Sequence, residues 1–180
     1  KYTSCDRQTM EADGSLKEFW KNKALIMLKA LEEKTDVLFL DSDIILTGEI
    51  TEINKSFKLG LSPQFINDKH RRSTGHYNGG CVWTNKKSIC EEWIELTEHS
   101  RYVDQACLED IALRNRDCFF EFPDNCNIQA WRYYLYPENN DLFMNNFNIH
   151  EGDLLYNYKK IKFIHTHFDD HRFKFFNELF

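Results

Sequence analysis

The sequence has little that breaks, cross-links or anchors a chain. Only three prolines and seven glycines are spread over 180 residues, without a Pro- or Gly-rich linker or an internal repeat, so residues 1–180 read as a single domain. No apolar run approaches the roughly 20 residues that a bilayer-spanning helix needs. Lys1-Tyr2-Thr3-Ser4 lacks the apolar stretch of a secretory signal. The expectation is a cytosolic protein, or a luminal one whose anchor lies outside this chain. A long basic run is missing too, and the formal net charge is −6, which argues against nucleic acid as a partner. None of Cys5, Cys81, Cys90, Cys107, Cys118 and Cys126 forms a Cys-x-x-Cys pair, so zinc-ribbon and thioredoxin-type motifs are absent. An even count leaves disulfides open. Four of the six sit in apolar patterns, where free cysteine packs as a small hydrophobe, and the reading is mostly reduced thiols.

What remains is a globular composition, 42% hydrophobic and 29% charged, with length enough for a sizeable core. Leu16 to Leu31 carries apolar residues at helical spacing, with Ser15 as a candidate cap and Glu18 at the capping-box position. Val37–Leu40 reads as a central strand buried on both faces. Phe57–Leu61, Cys81–Trp83, Cys118–Phe122 and Ile161–Ile164 read as further strands. Asn85 and Asp104 are candidate caps of two later helices. The basic stretch 67–76 reads as a surface loop, and residues 123–158 as irregular and aromatic. Helices alternating with short apolar strands predict an α/β layered fold.

One stretch raises a question. In VLFLDSDIIL, residues 37–46, two carboxylates interrupt a buried pattern. Burying ionised carboxylates is costly unless something pairs with them. At the carboxyl tip of a strand, Asp41 and Asp43 fall on one side of an extended chain and face a common point. A divalent cation is the natural occupant.

With its apolar lead-in, Asp41-Ser42-Asp43 resembles the DxD motif of GT-A glycosyltransferases. Its companions stand in that family's order. Tyr77-Asn78-Gly79-Gly80-Cys81-Val82 resembles the FNSGV stretch of glycogenin-like retaining enzymes. Asp104-Gln105 resembles their DQ helix start, and Phe163-Ile164-His165 their late strand ending in a metal-binding histidine. Fewer residues precede Asp41 than the one or two βα units such enzymes carry there. The resemblance therefore implies a single-domain GT-A-like, Rossmann-related mixed sheet flanked by helices, with a shortened or truncated N-terminal nucleotide-binding half.

The resemblance also implies a chemistry: transfer of a sugar from a nucleotide-diphosphate sugar, with UDP the default by analogy, to a glycan or protein acceptor, with retention. Mn2+ or Mg2+ held by Asp41, Asp43 and His165 carries the diphosphate. Ser42 lies within the motif. Lys23 approaches the donor phosphates, with Lys21 as its rival. Asn78, Gly79 and Gly80 line the sugar site, either there or as a plain tight turn into the next strand. Asp104 and Gln105 lie by the anomeric carbon. His167 lies near the diphosphate or the acceptor. Loop 67–76 closes over diphosphate or meets an anionic acceptor, and Trp131, Tyr133, Tyr134 and Tyr136 stack on acceptor sugars or fill the core. Two alternatives stay open: a catalytically silent GT-A-like module, and a zinc hydrolase using His165-x-His167-x-Asp169.

Overall fold

The computed structural model describes residue 10 and residues 12–65, 68–129 and 145–166. Among them, the helical pattern after Ser15 forms two helices, α1 (Leu16–Trp20) and α2 (Asn22–Ala30), with a turn at Lys21. Ser15 precedes α1 as expected, but its hydroxyl makes no cap bond; its backbone N–H donates to Asp13 Oδ1 instead. β1 (Val37–Leu40), β2 (Ile44–Leu46) and β3 (Leu59–Pro63) follow. The basic stretch read as a loop is a helix, α3 (Asp68–Thr74). Asp68 in its first turn and Arg71 and Arg72 in its last complement the helix dipole. Gly75, at φ +92°, closes it and packs so near the Ala106 backbone that a side chain would collide.

The next strand is far longer than the expected Cys81–Trp83. β4 runs from Tyr77 to Thr84, is buried throughout, and takes in Asn78, Gly79 and Gly80, which are strand and not turn. Two helices, α4 (Lys87–Thr97) and α5 (Leu108–Arg114), then pack on it, followed by β5 (Phe119–Glu121). Neither expected cap holds. Asn85 donates its side-chain amide to the Phe57 carbonyl, and α5 begins only after Cys107, leaving Asp104 in a preceding turn. The stretch read as irregular supplies β6 (Asn127–Gln129), β7 (Phe147–His150) and β8 (Asp153–Tyr156); β9 (Lys159–Lys160) and β10 (Phe163–His165) follow.

One sheet has the order β1-β4-β3-β5, antiparallel except for the parallel β3–β5 pair; a second has the order β2-β10-β6; β7-β8-β9 is a small meander. β1 is therefore an edge strand of its sheet, half-buried and not central as read from its apolar run. Helices α2, α4 and α5 bury Met27, Trp93, Leu108 and Ile111 against Leu59, Leu61 and Val82 on one face of the first sheet. Cys81, Trp83, Phe122, Cys126 and Phe163 fill the space between the two sheets. The fold is thus a mixed α/β sheet flanked by helices, as the alternation of elements predicts.

Two details position the site. The chain leaves the first sheet at Leu40, turns through Asp41-Ser42-Asp43, and enters the second sheet at Ile44. The β3–β4 register shifts between the pairs Leu61–Val82 and Pro63–Tyr77. Such an irregularity re-aims side chains: a side chain at Gly80 would face the same layer as Cys81 and Trp83, where strict alternation puts neighbours on opposite faces. Cys81, Cys90, Cys107, Cys118 and Cys126 are free thiols, in agreement with the reduced reading. Burial pushes the Cys90 and Cys126 thiols up to about 12, so they behave as apolar filler. No helix among the described residues is long and apolar enough to cross a membrane.

Candidate active site

Asp41 and Asp43 meet because a turn folds them together, with the Ile44 N–H donating to the Asp41 carbonyl, and not because an extended chain alternates. Thr166 fastens that turn to the end of β10: its N–H and its hydroxyl both donate to the Asp43 carbonyl, each at 2.9 Å. The pairing of His165 with Ile44 then sets the imidazole over the turn. His165 Nε2 lies 3.0 Å from Asp43 Oδ1 and 3.7 Å from Asp41 Oδ2, and one ligand atom from each of the three residues falls within 4.8 Å of the others. A cation with bonds of about 2.1 Å sets adjacent ligands about 3 Å apart and opposite ones about 4.2 Å apart. The residues therefore fit a divalent ion, and two carboxylates with one imidazole suit Mn2+ or Mg2+ better than a soft metal. Ser42 is exposed at the apex of the turn.

Gly80 makes room for this cluster. A Cβ there would overlap Asp41 Oδ2 and His165 Cε1. Gly80→Ala is expected to push those groups apart and to weaken Mn2+ binding at least tenfold, about 1.4 kcal/mol, with the fold retained. An Mn2+ titration on the folded variant checks this, and unchanged affinity would show that the site has slack.

Lys23 reaches the site from the first turn of α2. Its Nζ lies 3.0 Å from Asp41 Oδ1, 3.2 Å from Asp104 Oδ2 and 3.3 Å from the Gly79 carbonyl, and 5.5 Å from the centre of the Phe39 ring. Lys21 is occupied elsewhere, by Glu18 and Glu98, which decides between the two lysines. Burial works against the Lys23 charge, but Asp104 and Asp41 outweigh it and hold the ammonium above the ordinary lysine value. Asp104 is 5% exposed, and burial raises its carboxyl above the usual carboxylate range despite the opposing pull of Lys23. With Asp104 ionised, three carboxylates and one ammonium leave a formal charge of −2 at the site, which a divalent cation neutralises.

Gln105 is a brace as it stands. Its Oε1 accepts from the Gly79 N–H at 3.1 Å and from Asn78 Nδ2 at 3.4 Å, and its Nε2 donates to the Thr74 carbonyl at 2.8 Å. Asn78 Oδ1 faces His165 Nδ1 at 3.2 Å. Asn127 donates to that same oxygen at 3.1 Å and to Ser62 Oγ at 2.9 Å. Asn127 and Ser62 escaped the sequence reading. The available signal was the polar–apolar–polar run Asn127-Ile128-Gln129, a strand with one polar face.

His167, Asp169, Trp131, Tyr133, Tyr134 and Tyr136 lie outside the described residues. The one described member of the HxHxD stretch, His165, stands with Asp41 and Asp43. In α3, the Arg71 and Arg72 carbonyls are held by Arg101, which also pairs with Glu109.

The mixed sheet with its helical layer is a GT-A-like fold. Solved structures bear this out. A glycosyltransferase involved in the glycosylation of the major capsid of PBCV-1 superposes with a TM-score of 0.58 at 14% identity, over 91% of this chain and 77% of that one. The apo form of the glycosyltransferase GlyE of Streptococcus pneumoniae TIGR4 superposes with a TM-score of 0.51 at 21% identity, over 78% of this chain but 36% of that one. At such identities the likeness is one of fold. No protein-family model and no curated protein matches the sequence.

Proposed function

We propose that the protein is a metal-dependent glycosyltransferase that moves a sugar from a nucleotide-diphosphate sugar, a UDP-sugar by analogy, to a glycan or a protein. The observation that carries this reading is the convergence of Asp41, Asp43 and His165 from two sheets onto one cation-sized space. Asp41, Asp43 and His165 would hold Mn2+ or Mg2+, which would supply positive charge to the diphosphate leaving group. Lys23 adds a compact cation beside Asp41, within reach of the same phosphates. Ser42 offers a hydroxyl at the apex of the turn. Gly79 and Gly80 leave beside β4 the room that Asp104, Gln105, Asp41 and His165 fill, which lets those groups gather at the donor site. Asp104 and Gln105 form the wall facing the sugar, where Asp104 accepts from a hydroxyl; retention follows from the family likeness. His167 acts beside the diphosphate or the acceptor.

The test is a panel of nucleotide sugars with and without Mn2+, read by thermal shift and by release of nucleoside diphosphate. A ligand at a hundredfold excess over its Kd stabilises the native state by about 2.7 kcal/mol. A Mn2+-dependent shift and turnover with one UDP-sugar is expected. Binding without turnover, under any acceptor, would favour a silent module.

A further inference from the structure

We infer that Gln105 and Asn78 are positioning residues for the metal site, which fix the nitrogen that His165 turns toward Asp41 and Asp43. The inference rests on the metal reading of that cluster and adds to it a control of ligand chemistry from the sugar-facing wall.

The logic starts from two groups that cannot change role. A backbone N–H only donates and a backbone carbonyl only accepts. The Gly79 N–H stands 3.1 Å from one end of the Gln105 amide, and the Thr74 carbonyl 2.8 Å from the other. The first end must be oxygen and the second nitrogen, so the Gln105 amide cannot be flipped. Its oxygen also faces one end of the Asn78 amide, which must then be the NH2. That leaves Asn78 Oδ1 toward His165 Nδ1, where Asn127 adds a second donor to the same oxygen. An amide oxygen only accepts, so Nδ1 must carry the proton. Nε2 is then the nitrogen toward Asp43 Oδ1 at 3.0 Å and Asp41 Oδ2 at 3.7 Å, and in the neutral ring it presents a lone pair to a cation.

The relay opposes a real competitor. An aspartate oxygen 3.0 Å from Nε2 attracts a proton there, and a neutral ring protonated at Nε2 cannot ligate a metal through that atom. A bare Nδ1 would, in compensation, confront the fixed Asn78 oxygen at 3.2 Å with two lone pairs. Holding Asn78 in one orientation therefore disfavours the tautomer that cannot bind. Partners that hold the far nitrogen of a metal-binding histidine commonly change metal affinity 10–100-fold when removed.

Three variants separate this role from mere packing. Gln105→Leu removes the fixed acceptor of the Asn78 NH2 and leaves Asn127, whose own amide can turn, as the remaining hold on the Asn78 oxygen. Gln105→Glu keeps an oxygen facing both the Gly79 N–H and Asn78 Nδ2, and its other oxygen, protonated, can still donate to the Thr74 carbonyl, so this variant is measured at a pH low enough to hold that carboxyl neutral as well as at pH 7. Asn78→Leu removes the relay outright. Each is measured by Mn2+ titration followed by electron paramagnetic resonance, by 15N NMR of histidine-labelled, metal-free protein, and by thermal unfolding to confirm the fold. In the native protein His165 Nδ1 is expected to be protonated. Gln105→Leu is expected to shift the neutral ring's proton toward Nε2 and to weaken Mn2+ binding ten- to hundredfold, with Asn78→Leu at least as damaging. Gln105→Glu is expected to keep the Nδ1 proton and bind Mn2+ within about threefold of the native protein.

A bare Nδ1 in the native protein overturns the inference. So does unchanged Mn2+ affinity in Gln105→Leu, or a folded Gln105→Glu as impaired as Gln105→Leu. Should Asn78→Leu not fold, the Gln105 pair decides. A protonated Nδ1 that is lost in Gln105→Leu, in a native protein that binds no Mn2+, would support the relay and sink the metal reading instead.

Discussion

Asp43→Asn and Asp41→Asn are each expected to reduce Mn2+-dependent binding of UDP at least a hundredfold, about 2.7 kcal/mol, while the protein stays folded. The amide keeps the shape of the carboxylate and removes its charge. In the native cluster two carboxylates and an imidazole crowd within 4.8 Å of one another, and a divalent cation relieves that concentration of acceptors. Losing Asp43 removes the carboxylate nearest to His165 Nε2, and losing Asp41 also removes a partner of Lys23. Without metal the two variants should differ in stability. Asp43→Asn takes away half of a like-charge pair and leaves Lys23 paired with Asp104, whereas Asp41→Asn strips Lys23 of one of its two anionic partners. Calorimetric titration of UDP with and without Mn2+ checks the binding, and retained Mn2+-dependent affinity in either variant would remove that residue from the ligand set. His165→Ala belongs to the same series and is expected to weaken Mn2+ strongly; His167→Ala should do so only mildly.

Lys23→Met should produce the largest change in stability. The methionine stem replaces most of the lysine's apolar packing, but the ammonium between Asp41 and Asp104 disappears. Breaking a buried pair from one side costs about 3–5 kcal/mol. Lys23 and Asp41 keep 26% side-chain exposure, so water offsets part of this and about 2 kcal/mol is expected. The pH dependence has a definite sign. Burial already raises the Asp104 carboxyl, and without Lys23 the opposing pull is gone, so its folded-state value rises further. A carboxyl raised on folding binds more protons in the native than in the unfolded state, so the variant loses stability as pH rises through that folded-state value and recovers it as pH falls. Urea unfolding at pH 7.5 and at pH 5 should therefore show the gap to the native protein narrowing in acid. A gap independent of pH would mean that lost packing, not the unpaired acid, is the cost.

Much of the site was legible because its chemistry is local in the chain. Asp41 and Asp43 interrupt an apolar run, and that anomaly is visible without coordinates. Val37–Leu40 and the apolar stripes of α2, α4 and α5 are equally local, since each is set by a period of two or 3.6 along the chain. Other features depend on partners remote in sequence. Asn78-Gly79-Gly80 looks like a turn because glycine is a weak strand former. It is a buried strand because Asp41 and His165 occupy the space a side chain at Gly80 would need. The stretch 68–74 has no apolar stripe, so periodicity could not reveal α3. Asp104 looks like a helix cap, yet the helix starts later and Lys23, 81 positions upstream, takes its carboxylate (104 − 23 = 81).

The choice of His165 over His167 came from the resemblance of Phe163-Ile164-His165 to a family motif; the sequence by itself determined that this is an α/β protein and that two acids stand at the tip of a strand. Those features follow from the order of residue types along one segment at a time. Only the tertiary structure decided that β1 lies at a sheet edge, that Lys23 and not Lys21 enters the site, and that Gln105, Asn78 and Asn127 stand behind His165. The reason is physical. Hydrogen bonds and ion pairs form wherever donors and acceptors come within about 3 Å, and which ones do so is settled by how two sheets and a helical layer pack, not by spacing along the chain.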